Sequence, residues 1–206
     1  MRLKSNAGFV GFDGTENKRT VLALDAVKKA AGIGGDLNVL LRQPHGRAKS
    51  ILSKLIRICD VKAYVSDDAD GAKWERAGFS VQGGYADFFE DSDFIMIGTP
   101  GDQETPYAEA GLAAGCTVSL MGGAHRDKIM AALREKGVEI SGDLEADFKR
   151  EFFFGLENYE AFSKAKPRLI QCTSCNTTGI CRASLAARPL GLKMVLGNID
   201  RRHGDP

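Results

Sequence analysis

The fold is decided near the start of the chain, by the stretch Gly8-Phe9-Val10-Gly11-Phe12-Asp13-Gly14-Thr15-Glu16-Asn17-Lys18-Arg19. Its apolar beginning, residues 8–12, predicts a buried strand that enters a glycine-rich turn through Gly14. A helical pattern follows over residues 21–31, with Leu22, Ala26 and Ala30 expected on one face and Gly32 at the end. A strand, a turn and a helix in this order form the first unit of a repeating pattern.

The same alternation continues along the next hundred residues. Apolar runs at residues 37–41, 61–65, 94–97 and 117–120 predict further strands, and helical patches are expected at residues 72–77 and 107–114. Apolar strands that alternate with helices favour an α/β fold, a Rossmann-like doubly wound parallel sheet. Such sheets bind ligands at the carboxyl ends of their strands.

Composition excludes several classes of protein. The chain has 206 residues, 43% of them hydrophobic, which is enough for one domain, or for one and part of another. Lys and Arg total 28 against 27 Asp and Glu, so the overall charge favours neither a nucleic acid nor a membrane as partner. An odd number of cysteines, five, and the absence of a long apolar segment at the start predict reduced thiols and a cytoplasmic protein.

A second informative stretch reads Cys172-Thr173-Ser174-Cys175-Asn176-Thr177-Thr178-Gly179-Ile180-Cys181-Arg182. It lies between an apolar strand at residues 169–170 and a helical sequence at residues 183–188. A cysteine at the start of a helix has a lowered thiol pKa, because backbone N–H groups and the helix dipole favour the thiolate. Asn176 and the threonines can polarise a carbonyl group beside the sulfur. We therefore predict that Cys175 is a nucleophile for an aldehyde or acyl group.

Three other interpretations of these cysteines are open. A cysteine can be a small buried residue of the core. Cys172 and Cys175 form a CxxC pair that could bind a metal, but a second CxxC or a spaced histidine pair is missing, so we expect no metal site. The pair could also be a redox couple, although such motifs lie early in a strand–helix–strand unit rather than near the chain end.

The segment from Ser174 to Gly179, followed by Cys181-Arg182, resembles the active-site segment of archaeal-type glyceraldehyde-3-phosphate dehydrogenase. Further matches to that family occur in the same order along the chain, at Pro44, Thr99-Pro100-Gly101, residues 107–111, Gly122-Gly123 and residues 156–160. The resemblance implies NAD(P)-dependent phosphorylating oxidation of glyceraldehyde 3-phosphate, in glycolysis or gluconeogenesis. It implies a thiohemiacetal and a thioester on Cys175, Ser174 and Asn176 at the substrate, inorganic phosphate as second substrate, and a homotetramer.

The resemblance also assigns cofactor-binding residues: Thr15, Glu16, Arg42, Thr99, Gly123 and Arg202. Arg42 ends the second strand, where a basic residue accommodates a ribose 2′-phosphate, so Arg42 and Arg47 favour NADP over NAD. The turn departs from the family at two positions and predicts weak binding. Glu16 brings negative charge toward a pyrophosphate. Asn17 stands where glycine would allow close helix–strand packing, although asparagine tolerates a left-handed backbone.

Two further departures bear on function. Residues 126–137 form an extra amphipathic helix that is expected to cover the core, with Met130, Ala132 and Leu133 packed. We assign residues 1–170 to the NAD(P)-binding domain and residues 171–206 to the opening segment of an α+β catalytic domain, which is truncated relative to the family.

The family's general-base histidine has no counterpart among His45, His125 and His203. A non-catalytic nucleotide-binding remnant is therefore the alternative function. The related semialdehyde and acyl-phosphate reductases are a third option, disfavoured by Asn176-Thr177-Thr178.

Overall fold

The fold is a single six-stranded sheet with helices on both faces. The computed structural model describes residues 5–100, 103–121, 126–137, 159–172, 175–191 and 193–194. The strands are β1 (Ala7–Val10), β2 (Leu37–Leu41), β3 (Val61–Val65), β4 (Phe94–Ile97), β5 (Thr117–Leu120) and β6 (Leu169–Gln171). All pairs are parallel, in the order β3-β2-β1-β4-β5-β6. The predicted α/β, Rossmann-like doubly wound sheet is thus confirmed.

The described helices lie between these strands, except for the last one, which follows β6. They are α1 (Thr15–Ala31), α2 (Gly46–Ile58), α3 (Asp68–Arg76), α4 (Tyr85–Glu90), α5 (Thr105–Ala113), α6 (Arg126–Glu135), α7 (Tyr159–Ala165) and α8 (Cys175–Ala187), the last followed by a 3-10 turn, Arg188–Leu190. None of the helices described is both long enough and apolar enough to cross a membrane.

The face of the sheet next to α1, α2 and α3 carries one apolar layer. Its buried members come from Ala7 to Trp74 and include Phe9, Val39 and Leu52. Parallel strands that are covered on both faces need such near-continuous apolar runs, which is why β2, buried at all five positions, has the predicted bounds.

Helix α1 differs from its prediction in two respects. It starts at Thr15 rather than at residue 21, and the residues that it buries are Asn17, Val21 and Lys28. The predicted face is wrong, because Leu22, Ala26 and Ala30 are all exposed. The Lys28 amine donates to the backbone carbonyl of Ser5 at 2.7 Å. The side of α1 that carries Lys28 therefore faces Ser5, just before β1. Gly32 ends the helix as predicted, in a left-handed conformation with φ 65°.

The opposite face carries the second apolar layer, whose buried members come from Val10 to Leu169. Helix α6 confirms the predicted extra helix, and it covers this layer with Ile129 and Leu133, both 0% exposed. An ion pair between Lys136 and Glu109 ties the end of α6 to α5. The predicted packing of the Met130 side chain lies outside the described part.

The predicted strand and the helix after it are both present, but the helix begins well before the helical sequence predicted at residues 183–188. Strand β6 pairs with β5, and Cys172 follows it with its N–H donating to the carbonyl of Leu120 at 2.9 Å. Helix α8 begins at Cys175. The domain boundary predicted after residue 170 falls inside β6 and stays a prediction.

Candidate functional site

A cleft of about 780 Å³ opens at the carboxyl edge of the sheet. It lies beside the ends of β1, β2 and β4, where the strand order reverses between β1 and β4. This reversal is the place where open α/β sheets bind ligands. The volume is within the range of about 300–1,000 Å³ that is usual for small-molecule sites. The lining comprises Gly11, Phe12, Asp13, Gly14, Leu40, Arg42, Gln43, His45, Arg47, Ala48, Gly98, Thr99 and Pro100.

The floor of the cleft is the tight turn between β1 and α1. Gly11 has φ 74°, and a β-carbon on it would lie 3.0 Å from the carbonyl oxygen of Gly98. The N–H of Gly14 donates to the carbonyl of Gly11 at 3.0 Å and closes the turn. Gly14 is the N-cap of α1 and offers no side-chain acceptor to the helix. The first N–H groups of α1 have no partner within the helix, so this end favours an anion.

Asn17 lies inside α1, in its first turn, and not in the left-handed conformation suggested by the sequence. Among the described residues other than glycine, only Lys166 has a positive φ. The left-handed residue of the turn is Gly11. Asn17 is 1% exposed, and its Nδ2 donates to the carbonyl of Val10 at 2.7 Å. The position predicted to suit glycine is therefore filled by a buried, hydrogen-bonded side chain.

Thr99 lines the cleft, as predicted, but its hydroxyl oxygen is buried. The residue is 5% exposed, and its Oγ1 has no hydrogen-bond partner among the described residues. A buried polar group without a partner costs about 1–3 kcal/mol. A ligand in the cleft would contact Thr99 through its other atoms, because the hydroxyl oxygen has no exposed surface.

The far wall of the cleft is basic. Arg42 and Arg47 both line it, and Arg42 Nη1 donates to Oε1 of Gln103 at 3.1 Å. The backbone carbonyl of Arg42 accepts from Nε1 of the buried Trp74 at 2.7 Å. The end of β2 is therefore fixed by its backbone, whereas the guanidinium's hydrogen-bond partner among the described residues is the neutral Gln103.

A histidine and an aspartate meet across the same wall. His45 is the N-cap of α2, and its Nδ1 accepts from the N–H of Ala48 at 3.4 Å. Its Nε2 lies 3.2 Å from the carboxylate of Asp13 in the β1–α1 turn. The accepting role of Nδ1 places the ring proton on Nε2, which then donates to Asp13. Neither Asp13 nor Gln103 is among the site residues predicted from the sequence, because their partners are distant along the chain.

The predicted nucleophile starts a helix at the same edge of the sheet. All strands run in parallel, so the start of α8 after β6 lies on the side where the cleft opens. β6 is three strands from β1, which corresponds to roughly 14 Å at about 4.8 Å per strand. Several predicted site residues lie outside the described part: Ser174, Gly123 and Arg202 entirely, and Thr15, Glu16, Cys175 and Asn176 in their side chains.

Three other cysteines are described, and burial raises the pKa of each. Cys59 and Cys116 are buried in the two apolar layers. Cys172 is half-buried, with Sγ 3.2 Å from Oγ of Ser119, and desolvation is again the main cause of its raised pKa. These thiols stay protonated at neutral pH. Within the described ranges, no group of three or more His, Cys, Asp or Glu side chains is arranged to hold a metal ion.

Several curated proteins are similar to this chain in sequence. The glyceraldehyde-3-phosphate dehydrogenase of Pyrobaculum neutrophilum is 30% identical over 204 residues, covering 97% of this chain and 49% of the relative. That of Pyrobaculum islandicum is 31% identical over 201 residues, covering 97% and 49%. The enzyme of that name from Sulfolobus acidocaldarius is 30% identical over 136 residues, covering 65% and 33%. The chain spans about half the length of the curated relatives that it matches over nearly its whole length.

Two other comparisons found no similarity or weaker similarity. No protein-family model matches the chain. Among solved structures, aspartate semialdehyde dehydrogenase II from Vibrio cholerae has a TM-score of 0.47 at 14% identity, covering 91% of this chain and 46% of that one. Shikimate dehydrogenase from Mycobacterium tuberculosis has a TM-score of 0.45 at 14% identity, covering 93% and 54%.

Proposed function

We propose, from the premise that this chain is a glyceraldehyde-3-phosphate dehydrogenase-like protein, that its cleft binds a nicotinamide cofactor for an oxidoreductase reaction. One observation carries the proposal: the cleft at the strand-order reversal combines a glycine-rich turn, a helix N-terminus and two arginines. Each of these features is complementary to a phosphorylated, hydroxyl-rich ligand. These features fit a dinucleotide, whereas Asp13 in the lining and Glu16 in the first turn of α1 carry negative charge that opposes its diphosphate, so the proposed binding is weak.

The cofactor's parts can be assigned to the parts of the cleft. The Gly11–Gly14 turn and the first N–H groups of α1 would hold the diphosphate, with Thr15 and Glu16 beside it. Thr99, which lines the cleft, would lie beside the same ligand. Gly123 and Arg202 are assigned by resemblance alone.

The arginines favour NADP. An acidic residue after β2 would bind the two hydroxyls of the adenosine ribose, but Arg42 stands there instead. Arg42 and Arg47 can each donate to a 2′-phosphate, and NAD lacks that group. NADP is therefore the proposed cofactor, with NAD bound less tightly.

Cys175 is the proposed nucleophile. Helix α8, of 13 residues, begins at this cysteine, so the helix dipole stabilises its thiolate. The sulfur attacks the aldehyde carbon of glyceraldehyde 3-phosphate and forms a thiohemiacetal, with Ser174 and Asn176 at the substrate. A bound nicotinamide cofactor supplies the hydride acceptor for oxidation to a thioester. Inorganic phosphate then attacks the thioester carbon, and the Cys175 thiolate leaves.

A nucleotide-binding protein without turnover is the second candidate. The sequence has three histidines, and His45, the one in the described part, pairs with Asp13 on the arginine side of the cleft. It therefore lies next to the adenosine end proposed for the cofactor and cannot act as a base at Cys175. A general base contributes about 100- to 10,000-fold in rate, so its loss separates binding from catalysis.

One experiment distinguishes the two candidates. Purified protein is assayed for cofactor reduction with glyceraldehyde 3-phosphate, phosphate and either NADP or NAD, beside Cys175→Ser as the matched control. Cofactor affinity is measured in parallel by titration calorimetry. Turnover that Cys175→Ser abolishes supports the dehydrogenase, and binding without turnover supports the second candidate. Failure to bind either cofactor refutes both.

A further inference from the structure

Asn17 joins three elements at the floor of the cleft. Its Nδ2 donates to the carbonyl of Val10, the last residue of β1, at 2.7 Å. The same carbonyl accepts from the backbone N–H of Gly98, immediately after β4, at 3.0 Å. The first turn of α1 is thus connected to the ends of β1 and β4 through one shared acceptor. Oδ1 of Asn17 has no partner among the described residues, so the carboxamide is held through its donor side.

Gly98 provides the space for that carboxamide. A β-carbon at residue 98 would lie 2.7 Å from Nδ2, 2.9 Å from Cγ and 3.0 Å from Oδ1 of Asn17. The carboxamide cannot withdraw without breaking its hydrogen bond to Val10. Any side chain at position 98 therefore conflicts with Asn17, and glycine at position 17 would leave an empty space beside Gly98.

The two residues reverse the usual arrangement of a dinucleotide-binding turn. In such turns a glycine on the helix allows close packing of helix and strand. Here the helix carries the larger side chain, and the glycine lies after the strand. The helix and the strand still pack closely, because the larger residue is now on the helix and the smaller one is after the strand. The Asn17 side chain adds a hydrogen bond to this contact.

We infer that Asn17 and Gly98 act as a complementary pair that sets the position of the first turn of α1 over the cleft. Asn17 is then a positioning residue for the N–H groups of Thr15 and Glu16. That this position governs cofactor affinity rests on the proposed function. The effect of the pair on the position of the turn does not depend on the proposed function.

The test is a double-mutant cycle of Asn17→Gly, Gly98→Ala and the double variant. Asn38→Ala is the matched control, because Asn38 is also buried, donates to the carbonyl of Asp91 at 2.9 Å and has an unpartnered Oδ1. It is the second residue of β2, at the end of the sheet away from the cleft. The measurements are urea unfolding, hydrogen–deuterium exchange of the peptide spanning residues 11–20 without nucleotide, and NADP titration under conditions where all variants are folded.

Each single variant is expected to accelerate exchange in that peptide and to weaken NADP binding by about fivefold, the effect of one ordinary hydrogen bond. The double variant is expected to lie closer to wild type than either single variant. Asn38→Ala lowers stability and leaves the exchange of the turn and the NADP affinity unchanged.

Two results would overturn the inference. The first is additivity of the two substitutions in the free energy of unfolding, because independent sites do not couple. The second is wild-type exchange of the turn in Asn17→Gly. If coupling and faster exchange are observed but wild-type protein binds neither NADP nor NAD, the positioning role stands and the proposed function fails.

Discussion

Replacement of Arg42 by alanine is expected to weaken NADP binding and to leave NAD binding almost unchanged. In the structure, the guanidinium donates to the neutral side chain of Gln103 at 3.1 Å. Binding a 2′-phosphate exchanges this bond, in which only the donor is charged, for one in which donor and acceptor both carry charge. A hydrogen bond to a charged group contributes about 1.5–3 kcal/mol, and loss of the bond to Gln103 offsets part of that gain. The net gain is about 1–2 kcal/mol, so Arg42→Ala should raise the Kd for NADP by about 5- to 30-fold.

The substitution should not disturb the fold. Trp74 is fully buried, and its Nε1 donates to the backbone carbonyl of Arg42, an acceptor that alanine retains. An unchanged midpoint of urea unfolding therefore serves as the check that Arg42→Ala acts on the ligand alone. Gln103→Ala is a matched variant that is expected to change the Kd for NADP in the opposite direction. It removes the competing partner and should lower the Kd for NADP by about 2- to 10-fold.

Titration calorimetry with NADP and with NAD, at one fixed ionic strength, measures these effects, because salt screens exposed charges. Equal weakening of both cofactors by Arg42→Ala would refute the reasoning, since only NADP carries the 2′-phosphate. Unchanged NADP affinity would refute it as well.

Three further predictions concern reactivity, turnover and stability. Iodoacetamide at neutral pH should label Cys175 before Cys59, Cys116 or Cys172, whose pKa values burial raises, so that they hold less thiolate until the pH is raised. Mass spectrometry that finds Cys59 or Cys116 labelled first would contradict this. Steady-state oxidation of glyceraldehyde 3-phosphate by the chain alone should be slow, because a general base contributes about 100- to 10,000-fold. A rate near about one per second, a low but ordinary enzyme turnover, that Cys175→Ser abolishes would show this expectation to be wrong. Leu133→Ala should lower the free energy of unfolding by about 2–5 kcal/mol, since Leu133 is a buried residue with which α6 packs on the second apolar layer. The exposed Leu22→Ala is its control, and equal losses in urea melts would contradict the packing described for α6.

The strands could be predicted well because their signal is local. β2, β3, β4 and β5 have the bounds expected from their apolar runs, since a strand covered on both faces must be apolar along its length. Helix α2 is not among the predicted elements, although Ala48, Leu52 and Leu55 have helical spacing and are buried. Helix α4 has six residues, too few for a period to be recognised.

The buried face of α1 shows where hydropathy fails. Leu22, Ala26 and Ala30 are the more apolar set, yet the helix buries Lys28, whose amine donates to the carbonyl of Ser5. That outcome depends on a carbonyl that only the folded chain brings near the amine. The spacing of apolar residues along the helix carries no information about that carbonyl.

The candidate site divides in the same way. The helix start at Cys175 and the arginine after β2 follow from sequence, because each depends on a strand end and the residue beside it. The contacts from Asp13 to His45, Arg42 to Gln103 and Asn17 to Gly98 connect separate loops at the edge of the sheet. In the sequence, asparagine at position 17 therefore looks like the loss of a glycine that the turn needs. Its role is explained only by its contact with Gly98 in the folded chain.

The two apolar layers also impose an order on folding during synthesis. Every fully buried member of the layer under α1, α2 and α3 precedes residue 75, so these residues leave the ribosome before β4 does, and Met96 of β4 packs against them later. The other layer needs residues as late as Leu169. In the interval β1 is paired with β2 alone, and its second edge is open to other nascent chains. The central strand of the finished sheet is therefore, for part of translation, an edge strand.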